Sequence, residues 1–272
     1  LKLVEEKKIS LDDPITEFLP EFNDLQVMVQ EDGLLEDVEK INQFPTIKDL
    51  LLHTAGFSYN FLADPVGKKY DQLGLFNSDT TTLEEEIKIL AKAPLLFQPR
   101  KSWRYSVSMD VLARIIEIVI GDSLQNILQK EIFDPLEMYD TAFNVPLENQ
   151  HKVMTSYEFD PVKNKLNELT SDPQKIGNYG YPLNVSSYAR GGHGLFSTLN
   201  DYAIFAKMLH SGRSSNGYQI LNPNTLKLIS TNFLEDRYFP IEIATIGIVK
   251  DEKYVNGLEA YGWGLGCRTL LD

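Results

Sequence analysis

Cysteine is almost missing from this chain: there is one, Cys267, in 272 residues. A single thiol cannot close an internal disulfide, so no covalent staple holds the fold, and the compartment is left open. Histidine is nearly as scarce. The four histidines lie far apart in sequence, and none has a companion at the spacing of a metal-ligand motif. Long apolar runs are lacking as well. The best stretch, Ile115 to Ile120, is interrupted by Glu117 and falls far short of the roughly 20 residues a membrane span needs. Positive charge is outnumbered, with 26 Lys and Arg against 39 Asp and Glu. A net charge of −13 gives no basic footprint for nucleic acid or anionic lipid. There is no internal repeat and no low-complexity linker, and nothing in the residues calls for a cofactor.

What is present is ordinary globular material, 43% apolar and 24% charged, long enough for one large domain or two intimate ones. Leu1 to Ile9 has the apolar spacing of a helix already in progress, with no capping residue before it. Ser10-Leu11-Asp12-Asp13-Pro14 ends that helix. Residues Glu31 to Glu39 are acidic and are expected to form a solvated loop. Thr46 to Gly56 reads as a capped helix, with Asp49 in its first turn and Gly56 closing it. Thr82 to Ala91 is a second amphipathic helix with a box-like start at Thr82 and Glu85. Pro94 and Pro99 hold an extended approach to Tyr105. A long helix follows from Asp110 to Gly121, with Val111, Leu112, Ile115, Ile116 and Val119 on one face. Further helices are expected at Ser123 to Ile132, stopped by Asp134-Pro135-Leu136, at Asn200 to Leu209, and at Pro223 to Ser230. Thr155 to Ser187 is turn-rich and reads as irregular. Tyr261 to Leu271 reads as one glycine-laced strand, which needs partner strands to be stable. Both ends are therefore expected to continue in a longer protein.

The centre of the chain is Trp103-Arg104-Tyr105-Ser106-Val107-Ser108-Met109-Asp110. Here a phenol stands in a polar turn directly before an apolar helix. Taken alone, Tyr105 reads as a core tyrosine bonding a carbonyl. His193 lies in the turn Arg190-Gly191-Gly192-His193-Gly194, where glycine lets the backbone approach a ligand closely, or it simply fills that turn. His53 reads as bonding backbone at its helix end. Trp263 and Tyr261 either line a pocket or belong to the core. Arg190 has many carboxylates to pair with.

In sequence order these segments resemble the large family of serine hydrolases that groups class C β-lactamases, DD-peptidases and related carboxylesterases. Leu3-Val4-Glu5-Glu6-Lys7-Lys8-Ile9-Ser10-Leu11-Asp12-Asp13-Pro14 is similar to the helix end that follows the family's Ser-x-x-Lys motif. Leu50-Leu51-Leu52-His53-Thr54-Ala55-Gly56-Phe57 resembles its LLxHTSG segment. Tyr105-Ser106-Val107 stands in the place of Tyr-x-Asn. Gly191 to Leu195, with Ser197, Thr198 and Asp201, resembles its glycine-rich turn before a helix. Tyr261 to Gly266 resembles the strand leading to the Lys/His-Thr-Gly motif. The resemblance covers nearly the whole chain.

It implies an α+β fold, an antiparallel sheet flanked by helices with a mainly helical lobe inserted. Residues 1–20 and 188–272 would belong to the α/β lobe and 21–187 to the helical lobe. It also implies a serine attacking an acyl carbon, its proton taken by a lysine one helical turn on. No Ser-x-x-Lys and no Gly-x-Ser-x-Gly occurs in these residues; Ser171 has Lys175 four positions on. The nucleophile and lysine are expected before Leu1, and the Lys/His-Thr-Gly segment after Asp272. Tyr105 is then the proton shuttle, its phenolate favoured by a neighbouring ammonium and the helix N-terminus. Val107, where lactam-handling members carry Asn, suits an apolar pocket wall and an ester, while Ser106 and Ser108 could restore polarity. Ser106, Gly192, His193 and Trp263 are the further substrate-binding candidates. The expected substrate is a small ester, lactam or amide, handled without metal or cofactor by a carboxylesterase-like acyl-enzyme. The rivals are a β-lactamase or DD-peptidase, and a non-catalytic member kept for binding or assembly.

Overall fold

A computed structural model of the chain describes residues 1–75, 81–155, 157–168, 189–239, 241 and 261–271. Among these the helices are α1 (Lys2–Glu5), α2 (Ile47–Leu52), α3 (Pro65–Gln72), α4 (Leu83–Leu90), α5 (Ser108–Ile120), α6 (Leu124–Leu128), α7 (Asp134–Leu136), α8 (Leu199–Ser211) and α9 (Pro223–Ser230). The strands form three antiparallel pairs: β1 (Gln26–Met28) with β2 (Val38–Lys40), β3 (Tyr157–Asp160) with β4 (Lys165–Glu168), and β5 (Tyr261–Trp263) with β6 (Arg268–Leu270). The mixed α and β character expected of the sequence is what the chain adopts. Among the described residues, no helix is long and apolar enough to cross a membrane.

Most helix boundaries follow local chemistry. Thr46 and Thr82 each cap with the hydroxyl while the carboxylate three residues on, Asp49 or Glu85, returns to the threonine N–H. Thr198 caps α8 and Gly121 closes α5 in the left-handed conformation. α5 buries Val111, Ala113 and Ile115 against a main core that includes Phe22, Ile47, Leu50, Phe57 and Phe97. A smaller core joins Phe133, Leu136 and Met138 to Met208, Ile220 and Leu221.

Several expectations are corrected. α2 ends before His53, which takes the left-handed capping position at φ 57°, so Gly56 does not close the helix. Gly56 is needed for another reason. It also has positive φ, and a side chain there would collide with the carbonyl oxygen of Phe97. The acidic stretch 31–39 is not all loop, because Val38 and Glu39 pair with Met28 and Val27. The 123–132 helix passes through a π-turn, Gln129–Phe133, into α7, so Pro135 sits in the first turn of a new segment, where its missing N–H costs nothing. Part of 155–187 is a regular hairpin, β3–β4; residues 169–188 of that stretch lie outside the described residues. The final strand is two strands. The chain turns back through Gly264 to Gly266, the latter at φ 93°, so that Trp263 faces Arg268.

The approach to Tyr105 is organised by one buried carboxylate. Asp49 Oδ2 accepts from the Thr46 N–H and hydroxyl, both at 2.9 Å, and from Arg100 Nε at 3.0 Å. Its Oδ1 accepts from the Thr54 hydroxyl at 3.2 Å. The Arg100 N–H donates to the Thr54 carbonyl at 2.8 Å. The start of α2, the turn after it and the 95–104 segment are thus bound together.

Among the positive-φ glycines, Gly56 and Gly74 separate strain from collision, because Gly74 has open space where a side chain would stand. Gly74→Ala is expected to cost about 1 kcal/mol, the left-handed penalty alone. Gly56→Ala, which also drives a methyl into backbone, is expected to cost more than about 2 kcal/mol. Denaturant midpoints at constant slope measure both, and equal costs would contradict the collision at Phe97.

Candidate active site

Tyr105 stands in the turn between the 95–104 segment and α5. Val107, the N-cap of α5, makes no capping bond through its side chain, and its N–H is satisfied instead by the Ser58 carbonyl at 3.1 Å. The Tyr105 ring is half-buried among three aromatic neighbours: His53 with centroids 4.8 Å apart, Tyr59 at 5.5 Å and Trp263 at 6.1 Å. Phe61 stacks on Tyr59 at 4.7 Å. Among the described residues the Tyr105 hydroxyl takes part in no hydrogen bond. Burial first, and then the charge of Asp110, push its phenol above the ordinary tyrosine value. That is the reverse of the expected pull toward phenolate. The cause is physical: a half-buried oxyanion loses hydration, and the nearby charge is negative.

His53 lies beneath this ring, 2% exposed. Its Nδ1 accepts the Ser106 N–H at 3.2 Å and lies 3.1 Å from the Ser106 hydroxyl, which in turn is 2.9 Å from that of Ser108. Its carbonyl accepts the Arg104 N–H at 3.0 Å. Burial drops its pKa to about 3, so the ring is neutral. An Nδ1 that accepts a backbone N–H puts the ring proton on Nε2. Trp263 is held by its indole N–H on the Leu51 carbonyl at 3.0 Å, with its ring 5.1 Å from His53 and 5.3 Å from Trp103.

A second cluster joins the glycine turn to α5. Asp110 is fully buried, and its Oδ1 accepts from the Gly191 and Gly192 N–H groups at 3.1 and 3.2 Å. Its Oδ2 is buried without a partner. A side chain at Gly192 would meet the Tyr59 hydroxyl and Asp110 Oδ2, and one at Gly191 would collide with the Met109 carbonyl. Arg190 bridges Glu86, at 3.4 Å, and donates toward His193 Nε2 at 3.3 Å. Burial pulls His193 down to about 4. Burial also raises Asp110 to about 6, opposed in order by the Gly192 N–H and Arg190, reinforced by Glu86, and opposed again by the Gly191 N–H.

The structure brings Tyr105 and Trp263 into contact and places Gly192 beside them through Tyr59. Ser106 is turned inward, 1% exposed, onto His53. Val107, expected as an apolar pocket wall, is fully buried in the main core. His193 meets Arg190 rather than the Tyr105 ring. Three residues of this arrangement carry little signal in sequence. His53 looks like a helix-end histidine, Tyr59 falls in a loop, and Asp110 looks like an ordinary first-turn acid. An apolar cavity of about 440 Å³ lies elsewhere, between α1, α5, α6 and α8, and none of these site residues lines it. No cluster of His, Cys, Asp and Glu able to hold a metal occurs among the described residues.

The beta-lactamase family profile matches residues 1–269. Lovastatin esterase of Penicillium rubens is 32% identical over 232 residues, covering 82% of this chain and 53% of that protein. Esterase EstB of Burkholderia gladioli is 29% identical over 212 residues, covering 74% and 50% respectively. The chain thus spans about half the length of these curated relatives. Among solved structures, EstCE1, "a hydrolase with promiscuous acyltransferase activity", superposes with a TM-score of 0.72 at 24% identity, over 100% of this chain and 65% of that one. Its likeness concerns the fold, which matches the α+β class expected from the sequence.

The raised Asp110 has a thermodynamic signature. Its folded value of about 6 lies above the ordinary carboxylate value of about 4. The stability it contributes is complete below about 4 and is lost as pH rises through about 6. Asp110→Asn keeps an acceptor for the two glycine N–H groups and has no charge to bury. The melting temperature of Asp110→Asn minus that of the wild type is expected to climb between pH 4 and pH 8. A difference that stays flat over that range contradicts a buried, pH-sensitive carboxyl.

Proposed function

Because the chain belongs to the beta-lactamase family, we propose that it is part of a carboxylesterase-like serine acyl hydrolase in which Tyr105 carries the proton. The serine and lysine of this reading come from a Ser-x-x-Lys segment outside these 272 residues, since none occurs within them. The serine oxygen attacks the ester carbonyl while its proton passes to the lysine–Tyr105 pair. The same pair returns the proton to the departing alcohol oxygen, leaving an acyl-enzyme. Water then attacks the acyl carbon by the same route, and the acid and free serine are restored. An ammonium beside Tyr105 would offset the upward push of burial and Asp110 on its phenol. The division into an α/β lobe, 1–20 and 188–272, and a helical lobe, 21–187, belongs to this reading.

One observation carries it. A partly exposed tyrosine, backed by buried aromatics, presents a hydroxyl that no described residue engages. A tyrosine kept for packing usually buries its hydroxyl against a protein partner. The ester preference rests on the surrounding wall. With Val107 buried, the apolar surface is supplied by the partly exposed rings of Phe61 and Tyr105, backed by the buried Tyr59 and Trp263, which suits an apolar acyl or alcohol group.

In the full-length protein Tyr105→Phe is expected to lower kcat on p-nitrophenyl butyrate by about 10²–10⁴. A loss under about threefold assigns Tyr105 to packing. Turnover of p-nitrophenyl butyrate should exceed that of nitrocefin; the opposite order selects the β-lactamase alternative, and neither activity selects a non-catalytic role. The 272 residues expressed alone are expected to be inactive, and turnover abolished by Tyr105→Phe would overturn the placement of the nucleophile.

A further inference from the structure

We propose that His53 is a positioning residue for Tyr105, an inference that rests on the reading of Tyr105 as proton carrier. One residue grips the backbone on both sides of the tyrosine. The His53 carbonyl accepts from the Arg104 N–H at 3.0 Å and its Nδ1 from the Ser106 N–H at 3.2 Å, while its ring lies 4.8 Å from the phenol ring. Tyr105 is therefore fixed at three points by a side chain and a carbonyl that are themselves immobile.

The immobility has visible causes. His53 caps α2 in the left-handed region, at φ 57°, which a few residues such as Asn, Asp and His enter more readily than most. That conformation turns its carbonyl away from the helix axis and toward Arg104. Its ring is closed in by Trp103 at 6.1 Å and Trp263 at 5.1 Å, and Trp263 is anchored on Leu51. The Ser106 and Ser108 hydroxyls continue the hydrogen-bond chain from Nδ1 into α5. A neutral imidazole suits this work, because a charged one would lose the lone pair that receives the Ser106 N–H. Burial keeps it neutral. A tilt of roughly 10° at the tyrosine backbone moves the distant hydroxyl by about 1 Å, and a misplacement of that size costs on the order of 10²-fold in rate.

The test is kinetic, in the full-length protein with p-nitrophenyl butyrate, using His53→Ala, His53→Asn, Tyr105→Phe and the Ala/Phe double variant. Asparagine tolerates the left-handed region and places its amide oxygen near the Nδ1 position. His53→Ala is expected to lower kcat by about 30–100-fold with KM changed less than about threefold, and His53→Asn to stay within about fivefold of wild type. In the Tyr105→Phe background, His53→Ala should cost less than about threefold more, because the group it positions is already disabled. Fully additive losses, or a harmless His53→Ala beside a severe Tyr105→Phe, overturn the inference. A harmless Tyr105→Phe removes the reading of Tyr105 itself, and this inference with it. Should His53→Ala fail to fold, His53→Asn decides: a kcat loss above about tenfold in a folded variant overturns the inference.

Discussion

The Asp49 carboxylate is the constraint on which the site depends. It is an acid placed in a helix's first turn, as helix chemistry favours, but buried and shared among four donors from three parts of the chain. Burying a carboxylate without partners is costly, and both Asp49 oxygens are occupied, which ties the donors to their places. Thr46 fixes the beginning of α2, Thr54 fixes the turn beyond it, and Arg100 fixes the segment that leads to Tyr105. The left-handed His53 lies between the first two. Its hydrogen bonds to Arg104 and Ser106 carry that fixed geometry onward to the phenol.

Two different electrostatic environments meet at Tyr105. On the His53 side everything is neutral: an uncharged imidazole, two serine hydroxyls and two indoles. On the Asp110 side lie buried charges, namely Asp110, Glu86 and Arg190, with His193 held neutral by burial. The phenol belongs to the neutral side sterically and feels the charged side through Asp110. A cation placed beside the phenol would be favoured by the Asp110 charge.

How much of this was legible in the sequence depends on the range of the interaction. Caps at Thr46 and Thr82 and the stop at Gly121 involve residues three or four apart, and they stand where the local pattern puts them; the Thr198 cap starts α8 at Leu199, one residue before the expected Asn200. The fold class followed from motif order and agrees with the family match. What the pattern missed was non-local. The single strand expected at 261–271 became a hairpin because Gly264 packs against the Ile229 carbonyl, a contact invisible from either segment alone. The burial of Val107 and the inward turn of Ser106 came from the same source, the packing of 53–58 beneath 104–108. Tyr105 could be singled out from sequence, whereas its neighbours His53, Tyr59 and Asp110 needed coordinates.

Gly191 and Gly192 have a consequence for how such a protein can change over generations. The turn they form is pressed onto α5 so closely that neither position has room for even a methyl group, whereas Gly74 and Gly121 stand in open space. Collision closes drift at the first pair, whereas at the second the left-handed backbone alone opposes it. Diversification of this wall then falls to Tyr59, whose hydroxyl abuts Gly192, to Phe61 stacked on Tyr59, and to His193 next in the chain, so that a lineage inherits the shape of the wall and rewrites only its lining.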